Sequence, residues 1–188
     1  MFNADPKVIA RLAPHLGRVI VFDPQPAAAK LMSELLKDLG ARQVTCAGKT
    51  MKGLELVGHV DPQLVCIEYR GLDFDGPELV RRLRRSTLNA RTTPVIMVTS
   101  EATVESIKAA RDSGVHEFLR KPYTARDLFR RVENVALNPR LWIEAQMYVG
   151  PDRRRFNSGE FSGSKKRRAD AAPSAAEMLQ QAAAAATG

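Results

Sequence analysis

The sequence predicts an α/β protein: a doubly wound, five-stranded parallel sheet with helices on both faces. Two observations carry this. Short apolar runs alternate with helix-period segments from about residue 18 to 136. Those runs are continuous rather than alternately polar, as strands buried on both faces require. A chain of 188 residues accommodates one such domain plus extensions.

The elements follow in order. Asp5-Pro6 can start a helix through Leu16, an N-terminal extension over 1–16. Arg18-Val19-Ile20-Val21-Phe22 is the first strand, ended by Asp23-Pro24-Gln25-Pro26. Ala28, Leu31, Met32, Leu35, Leu36 and Leu39 keep helical spacing up to Gly40. Residues 42–47 read as a strand and 51–57 as a helix. Leu64-Val65-Cys66-Ile67 is a third strand, ending at Glu68. Residues 77–85 form a helix with Leu79, Val80 and Leu83 inward and its arginines (81, 82, 84 and 85) outward. Pro94-Val95-Ile96-Met97-Val98 is the fourth strand, followed by a helix over 104–113 and a short strand, Glu117-Phe118-Leu119. Lys121-Pro122 breaks that strand, and Thr124 can cap a last helix to about Val135. Residues 137–150 are too apolar for a free linker and are expected to pack on the body. From 151 to 188 a basic, then Ala-rich, disordered tail is expected.

No run of about 18 apolar residues occurs, which excludes a membrane-spanning helix of the usual kind. The start lacks the basic and apolar regions of a signal peptide, so a cytoplasmic location is expected. Cys46 and Cys66 lie in strand-like runs and read as buried free thiols. His15, His59 and His116 are scattered, without the spacing of a zinc site. The net charge of +8 is uneven. Residues 151–168 carry seven Lys/Arg against two acids, as much net charge as the whole of 1–150.

In sheets of this kind chemistry sits beyond the carboxyl ends of the strands. Those ends collect Asp23, Glu68, Thr99 and Lys121. With Asp75-Gly76 and Phe118-Leu119-Arg120-Lys121-Pro122, they make residues 17–136 resemble the receiver domain of bacterial two-component response regulators. The resemblance implies a flavodoxin-like sheet of order 2-1-3-4-5. It implies a pocket where an aspartate ending the third strand takes a phosphoryl group from a histidine kinase, beside a magnesium ion held by an acidic pair. By position, Thr99 matches the family's hydroxyl, Lys121 its lysine, Phe118 its switch aromatic and Asp23 the first acid of the pair.

Two positions depart from the pattern. Pro24 stands where the second acid should be and offers a hard cation no side-chain oxygen. Glu68 stands at the phosphoacceptor position, its carboxylate reaching roughly 1 Å further, and transfer chemistry tolerates such misplacement poorly. The expectation is a degenerate pocket with no metal, magnesium binding being weakened by Pro24. Three readings of Glu68 stay open: an ion pair with Lys121, a built-in mimic of the phosphorylated state near Thr99, or residual phosphorylation at Glu68, Asp73 or Asp75. Phe118 can equally be an ordinary core aromatic.

The expected function is therefore non-enzymatic: a signalling adaptor acting through protein contacts. The resemblance implies a partner surface including Lys108, Tyr123 and Arg126, and partners such as a histidine kinase, a phosphotransferase or a downstream target. Two alternatives differ in class. In one, Arg153, Arg154 and Arg155 with Lys165, Lys166, Arg167 and Arg168 bind cyclic di-GMP or another polyanion. In the other, the chain is still a phosphoacceptor in a phosphorelay. The sequence leaves the oligomeric state open.

Overall fold

The computed structural model describes residues 5–155. The first described element is α1 (Pro6–Leu12), capped by the Asp5 carboxylate, which accepts from the Lys7 amide at 2.8 Å. Then come β1 (Arg18–Phe22), α2 (Pro26–Asp38), β2 (Gln43–Ala47), α3 (Gly53–Val60) and β3 (Leu64–Glu68). A small hairpin, β4 (Arg70–Gly71) and β5 (Phe74–Asp75), leads into α4 (Gly76–Arg84). β6 (Val95–Thr99), α5 (Val104–Ser113), β7 (Glu117–Arg120) and α6 (Ala125–Leu137) complete the alternation. A second hairpin, β8 (Trp142–Ala145) and β9 (Tyr148–Pro151), follows.

Five strands form one parallel sheet in the order β2-β1-β3-β6-β7, the order expected for its main strands. Alternate side chains serve opposite faces. Val19, Val21, Cys66, Ile96, Val98 and Leu119 pack with Leu36 of α2, Leu128 and Val132 of α6, and Leu12 of α1. Ile20, Phe22, Val65, Ile67, Val95 and Met97 pack with Val57 of α3, Leu79, Val80 and Leu83 of α4, and Ala110 of α5. The N-terminal extension thus contributes to the core itself.

Local chemistry fixes the helix ends. Asp75 accepts from the Glu78 amide at 2.8 Å to start α4. Thr103 does the same for α5, and Thr124 with Asp127 forms a reciprocal capping box on α6. Gly114, at φ +97°, takes the left-handed turn that ends α5.

Several expectations need correction. The helix expected at 51–57 runs Gly53–Val60 and ends on Asp61 in the left-handed region. Cys46 is exposed, because β2 is an edge strand packed on one side by α2. Cys66, in central β3, is buried, and burial pushes its thiol up to about 12. The boundary expected after residue 150 falls inside the second hairpin, where Trp142 pairs with Pro151. Pro151 is buried, and its carbonyl accepts from the Tyr148 hydroxyl at 2.6 Å.

The largest correction is Arg84. Arg81, Arg82 and Arg85 are exposed as expected, but Arg84 is only 1% exposed. It lies one turn from Val80, on the buried stripe. Its Nε donates to the Gly114 carbonyl at 2.9 Å, and its Nη1 to the carbonyls of Arg91 (2.6 Å) and Thr93 (2.9 Å). Its Nη2 lies 3.3 Å from His116 Nδ1, and its guanidinium stacks on Trp142, 5.4 Å from the ring centre. Burial lowers its pKa to about 9, against the pull of Tyr148, so it remains a cation at neutral pH.

Candidate functional site

The carboxyl ends of β1, β3 and β6 and the residue after β7 bring Asp23, Glu68, Thr99 and Lys121 to one end of the sheet. The Lys121 ammonium lies between two carboxylates. Its Nζ donates to Asp23 Oδ2 at 2.7 Å and to Glu68 Oε2 at 2.6 Å. Both acids are buried, and the lysine side chain is 18% exposed. Burial alone would lower the Lys121 pKa. The hydrogen bonds and charges of Asp23 and Glu68 outweigh it and hold that pKa above its ordinary value.

The remaining carboxylate oxygens are also occupied. Asp23 Oδ1 accepts from the Gln25 amide at 2.8 Å, and Glu68 Oε1 from the Tyr69 amide at 2.8 Å. Each of the four oxygens therefore already accepts a protein donor. Thr99 Oγ1 accepts from the Glu101 amide at 3.0 Å. Magnesium takes near-octahedral oxygen ligands, and the Lys121 ammonium sits on one oxygen of each acid, so the arrangement as it stands does not fit that ion. Pro24 adds no oxygen to it.

Pro24 has a structural partner that sequence reasoning missed. The β4–β5 hairpin folds over it, and a Cβ at Gly71 would fall 2.8 Å from the Pro24 ring. Gly76 is pressed still more closely on the Glu68 carbonyl, which fixes the start of α4 against the end of β3. Leu72 projects from the hairpin turn, 93% exposed, beside Asp73 at φ +55°. Asp75 is spent on the α4 cap. The only forewarning was Gly71 itself, because a glycine in a strand-like stretch often marks close backbone approach.

The other expected residues divide. Phe118 is half-buried against the core on the α3–α5 face. Lys108 and Arg126 are exposed. Tyr123 is not an open surface residue. It is half-buried against the opposite core, with its hydroxyl 4.0 Å from Met32 Sδ, and burial pushes it up to about 12. Arg153, expected on a free arm, donates to Asp112 Oδ1 at 2.8 Å and stacks on Tyr148 at 4.4 Å. Arg154 is exposed. Lys165, Lys166, Arg167 and Arg168 lie outside the described residues.

A cavity of about 450 Å³ lies at the opposite ends of the strands, lined by Arg18, Asp61, Gln63 and Thr93. One of about 400 Å³ lies beside Asp23, between α2 and β2.

Comparison with known proteins agrees with the fold. An uncharacterized 14.6 kDa protein of Leptolyngbya boryana is 32% identical over 119 residues, covering 63% of this chain and 89% of its own. The sensory/regulatory protein RpfC of Xanthomonas campestris is 26% identical over 124 residues, 65% of this chain but only 17% of its own length. The receiver domain of the sensor histidine kinase PA1611 from Pseudomonas aeruginosa superposes with a TM-score of 0.58 at 19% identity. The match covers 65% of this chain and 98% of that one, whose active-site cleft coordinates a magnesium ion. The family model for the response regulator receiver domain matches residues 19–133. With its strand order, its strand-end residues and that match, the chain belongs to the response regulator receiver domain family.

Proposed function

We propose that this receiver domain is a signalling adaptor that works through protein contacts, in the cytoplasm, without aspartyl phosphorylation. The observation that carries the reading is the Lys121 ammonium held between Asp23 and Glu68. This internal cation occupies both carboxylates, and Pro24 supplies no third oxygen. Magnesium would have to displace a paired lysine to bind, and without it the charge on a transferring phosphoryl group is poorly offset. The two ion pairs favour the structural reading of Glu68 over the mimic. Its oxygens are spent on Lys121 and the Tyr69 amide, and its carboxylate is not bonded to the Thr99 hydroxyl.

Exposed Lys108 and Arg126 support a partner face on α5 and α6, and half-buried Phe118 ties that face to the core. Partners of the kind that receivers meet, a kinase, a phosphotransferase or a downstream target, fit such a face.

The test is intact-mass measurement after treatment with acetyl phosphate and magnesium. The expected result is no phosphoryl adduct on the native chain. A stoichiometric adduct on Glu68 overturns the proposal.

A further inference from the structure

We infer that the cavity between α2 and β2 takes a low-molecular-weight disulfide bearing carboxylates, and that Cys46 accepts its thiol half as a mixed disulfide. This goes beyond the adaptor reading and does not rest on it.

The starting point is a serine. Ser33 of α2 is 7% exposed, lines the cavity of about 400 Å³ and has no hydrogen-bond partner among the described residues. The other buried serines are satisfied. Ser106 donates to the Glu101 carbonyl at 2.8 Å, and Ser113 to the Ala110 carbonyl at 2.7 Å. A buried hydroxyl left unpaired costs stability, and a partner supplied from the cavity accounts for it.

The thiol opens on the same space. Cys46 is exposed at the cavity, and its Sγ donates to the Ala29 carbonyl at 3.7 Å. Ala29, Ser33 and Lys37 recur every four residues, which makes them one stripe of α2, and all three line the cavity. The stripe runs about 12 Å from Ala29 to Lys37. Thiol, hydroxyl and ammonium therefore follow one another along the cavity, whose volume is that of a small-molecule site. The other thiol, Cys66, is buried in β3.

Charge selects the ligand. Asp23 holds Lys121, and Glu34 holds Lys30 at 4.0 Å. Lys37 is exposed and has no ion pair among the described residues. The uncompensated charge of the lining is thus a cation, at the end remote from the thiol. A peptide-sized thiol with a terminal carboxylate spans that distance, with its amides passing the Ser33 hydroxyl. Pro24, Pro26 and Ala47 give its methylenes an apolar wall.

The exchange balances without another reactant. Cys46 releases its thiol proton to solvent, and the thiolate attacks one sulfur of the disulfide. The new S–S bond forms as the old one breaks. The other half leaves as a thiolate and takes up a proton. Cys46 is oxidised and the departing half is reduced.

The test is intact-mass measurement of the full chain over time with glutathione disulfide and, in parallel, with cystamine, a cationic disulfide. Each rate is taken relative to that of Cys46 in the urea-unfolded chain, which removes the intrinsic reactivity of the reagent. One glutathionyl group should add, mapped to Cys46, with a higher relative rate than cystamine. Lys37→Gln should slow the glutathione reaction roughly fivefold, the worth of one charge at contact distance in water, and should not slow the cystamine reaction. Lys7→Gln, on α1, should react as the native chain does. Ser33→Ala should slow the glutathione reaction without lowering the melting temperature, which separates a ligand contact from a structural one. Equal relative rates for the two disulfides, no adduct, an adduct on Cys66 of the folded chain, or an unchanged rate in Lys37→Gln overturns the inference. So does a Ser33→Ala chain that melts lower and reacts at the native rate.

Discussion

Two cations, Lys121 part-buried and Arg84 buried, hold the two ends of the sheet, and they are held in opposite ways. At the carboxyl end, Lys121 is paired with two carboxylates, Asp23 and Glu68. At the amino end, Arg84 is held by three backbone carbonyls, a histidine nitrogen and an indole face. A charge paired with charges responds to substitution of its partners. A charge solvated by carbonyls responds to where the backbone is. The first end is therefore governed by side-chain chemistry, and the second by the placement of the α5 cap, the loop before β6 and the second hairpin.

The largest effect should come from breaking the amino end. Arg84→Met leaves the carbonyls of Gly114, Arg91 and Thr93 without their donor. It should cost about 3–5 kcal/mol in urea unfolding, since each buried group left unpaired costs on the order of 1–3 kcal/mol. A loss below about 1 kcal/mol would show that water replaces the guanidinium there.

The carboxyl end should show coupling instead. Lys121→Met strands two acids and should cost about 3 kcal/mol, by the usual penalty for removing one partner of a buried ion pair. Adding Glu68→Gln should restore part of that loss. Strictly additive losses in the cycle would mean the two side chains do not interact directly.

pH separates the two ends further. His116 is 8% exposed, and its Nδ1 accepts from the Val95 amide at 3.2 Å. Burial first, then the charges of Arg84 and Arg140, hold its pKa well below the usual value of 6.5. The unfolded chain then takes up a proton below pH 6.5 that the folded chain does not. Stability should fall as pH drops through that range, by about 1.4 kcal/mol per unit from this one group. His116→Gln should flatten this part of the acid limb in denaturant midpoints taken between pH 5 and 7. Lys121 acts in the other direction. Its raised pKa stabilises the fold below its ordinary value of 10.5, and that contribution disappears as pH rises through the folded value.

The smallest effect concerns the end of the chain. A protein ending after residue 155 should melt within a degree or two of the full chain. One ending after residue 140 loses the hairpin that covers Arg84 and should melt well below it. Equal melting of the two would show that the hairpin adds nothing to the fold.

The sheet was legible in the sequence because strands buried on both faces leave unbroken apolar runs, as in Val95-Ile96-Met97-Val98. The carboxyl site was legible because parallel topology places strand ends together, and the Glu68–Lys121 pair followed from that placement. The inward turn of Arg84 was not. An arginine on a helix reads as solvent-facing, and its acceptors come from Gly114, Arg91 and Thr93, none of them on its own helix. The second hairpin was missed for another reason. Gly150-Pro151 signals a loop, yet both lie in a strand paired to β8 alone, where a proline is tolerated. The hairpin over Pro24 depends on a contact across the chain, of which Gly71 is the sole local sign.

The indole over Arg84 has a practical consequence. Trp142 is the sole tryptophan of the chain. Its emission reports the docking of the second hairpin, at the amino end of the sheet and away from the Asp23–Lys121 site. Backbone circular dichroism reports the whole domain. A spectral change of Trp142 that precedes the loss of ellipticity on heating would reveal the hairpin lifting from an intact sheet, a local opening that the native protein can display without any added label.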